Sequence, residues 1–256
     1  MLKDIVDKLL SEDKFQIQKG LEALADKLPA LEGDAFDEAI QAVTGLFYVD
    51  PMDHPELIPV LEQAEYLLAD LRERAIPSIL RFLGESDLKT HFHLAAVLGK
   101  MGYAAVGPLL EEYGRTGDDY ARVFILYALG KVKDPKVLDA LPALFDALED
   151  PNPEIRDTAA RALGKICEHV NPSLISEETR ARLFDKLMAR VSDRMAGVRS
   201  KAVRSLGKMA RFGLLDRPRA DKLRSTLAGI LGETEGENWD VAYIVRAEAQ
   251  KARAYV

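Results

Sequence analysis

The tripeptide Leu-Gly-Lys occurs four times, at residues 98–100, 129–131, 163–165 and 206–208, with offsets of 31, 34 and 43 residues. A unit returning at that period is one supersecondary element copied along the chain, and each copy can bury its apolar side only against its neighbours. Longer stretches align around the tripeptide. IRDTAARALGKI (155–166) matches VRSKAVRSLGKM (198–209), and VRAEAQKARAYV (245–256) keeps the start of the pattern but loses its Leu-Gly. Within 155–166 the apolar positions Ile155, Ala159, Leu163 and Ile166 recur at helical spacing, which predicts a helix with one buried stripe.

Six residues before each of these arginines stands an aspartate, giving Asp150/Arg156, Asp193/Arg199 and Asp240/Arg246, with weaker versions at Glu85/His91 and Thr116/Arg122. Prolines stand eight residues before the acid position, at Pro77, Pro108 and Pro142. This constellation resembles the HEAT repeat, most closely the bacterial and archaeal form found in phycobilin-lyase-like proteins, over about residues 71–256 in five copies. The resemblance implies an all-α fold, an α-solenoid or superhelix of stacked antiparallel helix hairpins of the HEAT/armadillo type. It implies that each arginine pairs with acids in its own and the adjacent repeat as a ladder, and that the second (B) helix of each hairpin lines a concave face. The turn acid is placed to cap the exposed N–H groups opening helix B. We expect hairpins at about 71–101, 103–131, 134–168, 176–211 and 217–255, continuous with an N-terminal cap.

That cap is residues 1–70. LKDIVDKLLSED with FQIQKGLEALADKL, and DEAIQAVTGLFYV with HPELIPVLEQAEYLLADL, read as two degenerate hairpins, with Glu12/Gln18 at the acid and arginine positions. Terminal repeats diverge because one face must meet water. Further on, Ser176 followed by Glu177 and Glu178 marks a helix start. The polar loop GETEGENWD (232–240) is long for this repeat and makes Trp239 a candidate contact point, with packing as a terminal cap as the plainer role.

Charge is segregated. Residues 1–70 hold 5 Lys/Arg against 16 Asp/Glu, whereas residues 179–224 hold 14 against 4, within a chain of net charge −7. One part should attract anions and another repel them. The single cysteine, Cys167, has no internal disulfide partner, no apolar run approaches a membrane span, and the N-terminal segment carries aspartates where a signal peptide needs apolar residues. We therefore expect a cytoplasmic protein without a membrane partner.

Little in the sequence marks a reaction. His91 and His93 diverge on a helix and cannot share a metal, and no histidine precedes a glutamate, unlike the His-Glu pairs of the HEAT-built deoxyhypusine hydroxylases. Cys167, Glu168 and His169 are adjacent on a helix, so a Cys–His nucleophile pair is not formed. Gly-Lys is never followed by Ser or Thr, which excludes a phosphate-binding P-loop. We expect no catalytic residue, metal or cofactor.

The B helices instead suggest binding. Alignment gives a column of Lys100, Lys131, Lys165 and Lys208; a second of Ala96, Tyr127, Arg161, Arg204 and Lys251; and a third of His93, Phe124, Thr158, Lys201 and Glu248. Lys201, Arg204, Lys208 and Arg211 form one basic stripe. A lysine late in a helix also complements the helix dipole, so the first column has a purely structural explanation as well. The expected function is a non-enzymatic protein–protein interaction scaffold that receives an acidic protein partner on these cations, with Tyr127 and Phe124 as apolar anchors. Nucleic-acid binding by the basic 179–224 segment is the alternative, weakened by a pI near 5.3. A tetrapyrrole-lyase subunit is a second alternative, on family analogy alone.

Overall fold

The computed structural model describes residues 2–83, 88–234 and 239–256. These residues form fourteen α-helices joined by short turns and 3₁₀ segments, and among them there is no strand. The helices are α1 (Leu2–Leu9), α2 (Lys14–Lys27), α3 (Gly33–Gly45), α4 (Ile58–Ala69), α5 (Ile76–Leu83), α6 (Leu88–Met101) and α7 (Tyr103–Arg115). Then follow α8 (Asp119–Leu129), α9 (Leu141–Ala147), α10 (Pro153–His169), α11 (Glu177–Arg190), α12 (Ala196–Arg211), α13 (Arg217–Leu231) and α14 (Tyr243–Ala252). The architecture is an α-solenoid of stacked hairpins built as two compact units, Met1–Glu111 and Glu112–Val256.

In the first unit α1, α3 and α5 pack in one layer, and α2, α4 and α6 in the other. In the second, α10 packs on α8, α12 on α10 and α14 on α12, while α9, α11 and α13 each back onto their own B helix. Ile155, Ala159, Leu163 and Ile166 are fully buried, as their spacing predicts. The aligned Val198, Ala202, Leu206 and Met209 are buried in turn.

The repeated glycine has a steric cause. Neighbouring B helices approach so closely that a Cβ on Gly130 would stand 3.0 Å from Ala162 Cα, one on Gly164 2.2 Å from Ser205 Oγ, and one on Gly207 2.7 Å from Ala252 Cβ. In every case the glycine meets the small residue two positions before the aligned site in the next repeat. The sequence pattern small-Leu-Gly is therefore a helix-crossing device. The prolines have a local cause too. Pro77 and Pro142 are second residues of α5 and α9, each in the first helical turn, where a missing N–H costs no helical hydrogen bond. Pro108 instead lies inside α7.

The aspartate–arginine motif resolves into a ladder with a definite direction. Arg156 Nη1 donates to the backbone carbonyl of Asp150 in its own repeat (2.8 Å), while its Nε and Nη2 grip Asp193 of the next repeat at 2.8 and 3.0 Å. Arg199 repeats this, with Nη1 on the Asp193 carbonyl (2.9 Å) and Nε and Nη2 on Asp240 (2.7 and 2.8 Å). Arg122 reaches Asp150 Oδ2 at 2.7 Å. Ion pairing is thus to the following repeat; the arginine's own repeat supplies a carbonyl, where a carboxylate was expected. Nor does the aspartate cap helix B directly. Asp150, Asp193 and Asp240 accept from the N–H two residues on, at Asn152, Met195 and Ala242, which fixes the turn just outside the helix. Thr116 makes the same turn to the Asp118 N–H.

One N-terminal reading changes. Ser11 Oγ accepts from the Asp13 N–H and Ile17 N–H donates to the Asp13 carbonyl, so Ser11/Ile17 hold the acid and arginine positions in place of Glu12/Gln18. The ladder motif is accordingly missing from that hairpin. Glu85 of the Glu85/His91 pair lies outside the described residues, as do residues 235–238 of the 232–240 loop.

Candidate functional site: cations of the B helices

Most of the cations in the aligned columns already have a carboxylate. In the first unit Lys100 Nζ donates to Glu65 Oε2 at 2.6 Å, and His93 Nδ1 lies 2.7 Å from Oε1 of the same carboxylate. Glu65 is buried, and the His93 ring stacks on Phe47 with centroids 4.7 Å apart. Burial opposes ionisation of Glu65, but His93 and Lys100 outweigh it and hold its pKa below the ordinary value. His91 is buried, in keeping with a core role.

In the second unit Lys165 and Lys208 converge on Glu168, at 3.0 and 2.6 Å. Arg204 grips Glu248 through two nitrogens at 2.7 and 2.9 Å, and Lys251 joins it at 3.0 Å. Lys201 lies 3.6 Å from Asp157. Burial works against the charge on Glu168, yet the two lysines bring its pKa down to about 2. Glu248 is also brought down to about 2, chiefly by Arg204, against the effect of burial and with help from Lys251. The same neutralisation runs through the basic segment 179–224, where Lys186, Arg190, Arg219 and Arg224 pair with Glu149, Glu149, Glu177 and Asp221.

One place differs. Between α8 and α10, Lys131 and Arg161 have no carboxylate within ion-pair distance among the described residues. Both lie over the ring of Tyr127, their charged groups 5.1 and 5.0 Å from its centroid. Tyr127, Lys131, Arg161 and Lys165, with Thr158, line one small cleft floored by Gly130 and Ala162. The α4–α6, α10–α12 and α12–α14 contacts are each bridged by an acid; here an aromatic ring stands between two cations, an arrangement worth about 0.5–1 kcal/mol per contact where exposed and more once desolvated. An incoming anion would meet two unneutralised charges and a third, on Lys165, shared with Glu168.

Of the expected site residues, Tyr127, Lys131, Arg161 and Lys165 come together. Lys208, Lys201 and Arg204 lie on the same helix layer but are engaged by Glu168, Asp157 and Glu248. Arg211 sits apart, 5.4 and 5.5 Å from the Phe212 and Tyr255 rings. Lys100 belongs to the first unit. Phe124 is only 5% exposed, so its ring is a core group and not the surface anchor expected of it. The column alignment contained Glu248 but not Glu65, Asp157 or Glu168. Two of these acids carried a signal in their spacing, Glu168 three residues after Lys165 and Glu248 three before Lys251, the distance at which helical side chains meet.

Cys167 is fully buried, and burial pushes its thiol up to about 12, well away from a nucleophilic thiolate. Among the described residues no group of three or more His, Cys, Asp or Glu side chains is placed to hold a metal, and no helix is long and apolar enough to cross a membrane.

A family model for HEAT repeats matches residues 109–177, the stretch that carries α8, α9 and α10 and the Arg122–Asp150 rung. Over that stretch the chain is similar to HEAT repeats. Solved structures place its fold among the same solenoids. A chain from the complex of CpcE and CpcF of phycocyanin lyase from Nostoc sp. PCC7120 superposes with a TM-score of 0.57 at 23% identity, over 70% of this chain and 98% of that one. An archaeal HEAT-like repeat protein from Thermococcus onnurineus NA1 superposes with a TM-score of 0.56 at 15% identity, over 100% and 96%. At these identities the likeness is one of fold. No curated protein matches the sequence.

Proposed function

We propose that the protein is a non-enzymatic interaction scaffold whose second unit receives a carboxylate from an acidic protein partner, held by Lys131 and Arg161 over Tyr127. One observation carries this reading: at this step of the B-helix layer two cations lack the acid that neutralises their counterparts elsewhere. A partner's Asp or Glu would complete the pattern, and the Tyr127 ring, partly exposed, would pack against its aliphatic stem. Pairing of Lys186, Arg204, Lys208 and Arg219 favours protein over nucleic acid, since a phosphate chain would have to displace Glu149, Glu248, Glu168 and Glu177 to use them.

The test is titration of the protein with a glutamate-rich peptide and with single-stranded DNA, for the wild type and a Lys131→Glu/Arg161→Glu variant. The peptide should bind and the variant should lose it. Tighter binding of the DNA, with a steep salt dependence unaffected by the variant, would overturn the reading.

The fold shared with the CpcE–CpcF chain supplies a second reading, a tetrapyrrole-lyase subunit. Mixing the protein with a bilin and following its absorbance tests it. A shifted spectrum would support it and an unchanged one would count against it.

A further inference from the structure

The Arg246 rung differs from the two before it. Arg246 holds the position of Arg156 and Arg199, and its Nη1 donates to the carbonyl of Asp240 at 2.6 Å, as theirs do to Asp150 and Asp193. In the two preceding repeats Nε and Nη2 then grip the turn aspartate of the next hairpin. Among the described residues no carboxylate meets Arg246. Its guanidinium lies instead 4.0 Å from the centroid of Trp239. Around it the turn is apolar and uncovered: Trp239, Val241, Tyr243 and Ile244 are 56%, 85%, 74% and 49% exposed. The aligned residues in the preceding turn are Ser192, Arg194, Ala196 and Gly197, so that turn lacks this apolar set.

We infer that this turn is a docking site for a short partner segment bearing an aspartate or glutamate among apolar residues, the carboxylate entering the Nε/Nη2 fork of Arg246. The charge of the occupant follows from the two rungs before it, where the same fork takes a carboxylate with both nitrogens. Its size follows from the rest of α14. Gln250 and Arg253 are exposed at the positions where Val203 and Leu206 are buried against the following helix. A partner that stacked a whole hairpin on α14 would cover those polar groups. A short segment confined to the turn leaves them in water. Wrapped apolar contacts from Tyr243 and Ile244 would flank the ion pair and exclude solvent from it, the arrangement that makes a charge-assisted hydrogen bond count.

Trp239 is the single tryptophan of the chain, so its emission reports this site alone. The experiment titrates the full chain with a blocked octapeptide carrying one Asp between leucine and valine residues, and with its Asn counterpart, following Trp239 fluorescence. Sedimentation velocity of the protein alone runs in parallel. A saturable emission change is expected, weakened about tenfold or more by Arg246→Gln or by the Asn peptide and retained in Lys131→Glu/Arg161→Glu. Arg246→Gln is checked for folding by circular dichroism, and Tyr243→Ser, at an exposed position, gives a second variant expected to weaken binding. No emission change, equal binding of both peptides, or an unaffected Arg246→Gln protein would overturn the inference. So would self-association that Arg246→Gln abolishes, since the occupant would then be a second copy of the chain.

Discussion

A Cβ built on Gly164 would stand 2.2 Å from Ser205 Oγ and 2.8 Å from Ser205 Cβ. Ser205 cannot turn aside freely, because its hydroxyl donates to the Ala160 carbonyl at 2.7 Å in a buried position. Two effects oppose each other in Gly164→Ala. Alanine is favoured over glycine in a helix interior by about 1 kcal/mol. Overpacking of a closed interface costs about 1–3 kcal/mol, and here the clash includes the Ser205 backbone at 3.1 Å, so the cost prevails. We predict net destabilisation by about 1–2 kcal/mol in urea unfolding. Adding Ser205→Gly should recover part of it. A Gly164→Ala protein as stable as wild type would mean that α10 and α12 do not cross this closely.

The Arg156–Asp193 rung is the most enclosed of the ladder, with both side chains under a tenth exposed. Removing one partner strands a buried charge, so Arg156→Met and Asp193→Ala should each cost about 3–5 kcal/mol. The double variant should cost much less than the sum, because no charge is left unpaired. The double-mutant cycle measures this directly. Additive losses would place the two groups out of contact.

How much of this was legible beforehand differs between the motif and the site. The hairpins and the Asp150/Arg156 register follow from residues six apart in one chain, a local relationship that a repeat displays openly. Which repeat each arginine serves does not: Arg156 could as well have met Asp150 as Asp193, and only the offset between neighbouring hairpins decides it. The same limit hid the neutralisation of the lysine column. Lys208 is paired by Glu168, a residue of the previous B helix that stood out in the sequence only as the neighbour of Cys167. Phe124 shared a column with Thr158 and Lys201, but a large ring at the margin of a core turns inward where a lysine of the same register reaches out. At the N-terminal hairpin Ser11 replaced Glu12 because a hydroxyl can make the turn that an aspartate makes elsewhere.

Stability should fall in acid within a definite window. For Asp193, burial opposes ionisation and the Arg156 and Met195 donors outweigh it; for Asp240 the Arg199 hydrogen bonds lead. With Glu168 and Glu248 at about 2, all four carboxylates titrate lower in the folded chain than in the unfolded one. Unfolded values are about 3.9 for Asp and 4.3 for Glu, so the unfolded chain takes up protons first. Their contribution is complete above those values and disappears as pH falls through the folded ones. Melting temperature should be level from about pH 5 to 8 and drop steadily from about pH 4.5 toward 2. A Glu168→Gln/Glu248→Gln variant should show a shallower drop. Equal slopes would place the acid sensitivity elsewhere.

Glu168 also sets the extent of the proposed anion site. It draws Lys165 and Lys208 together, and Lys165 lines the same cleft as Lys131 and Arg161. Neutralising it as Glu168→Gln keeps the shape and frees both lysines, at a stability cost of about 1 kcal/mol from the lost ion pairs and the repulsion between two ammonium groups. The freed charges would add to the field that Lys131 and Arg161 present. A glutamate-rich peptide should therefore bind severalfold more tightly to Glu168→Gln than to wild type, with a steeper fall in affinity as salt rises. Isothermal titration at two salt concentrations reads both effects. Unchanged affinity would mean that the partner's carboxylate does not approach within reach of Lys165, and that the cleft over Tyr127 is not where an acidic chain is held.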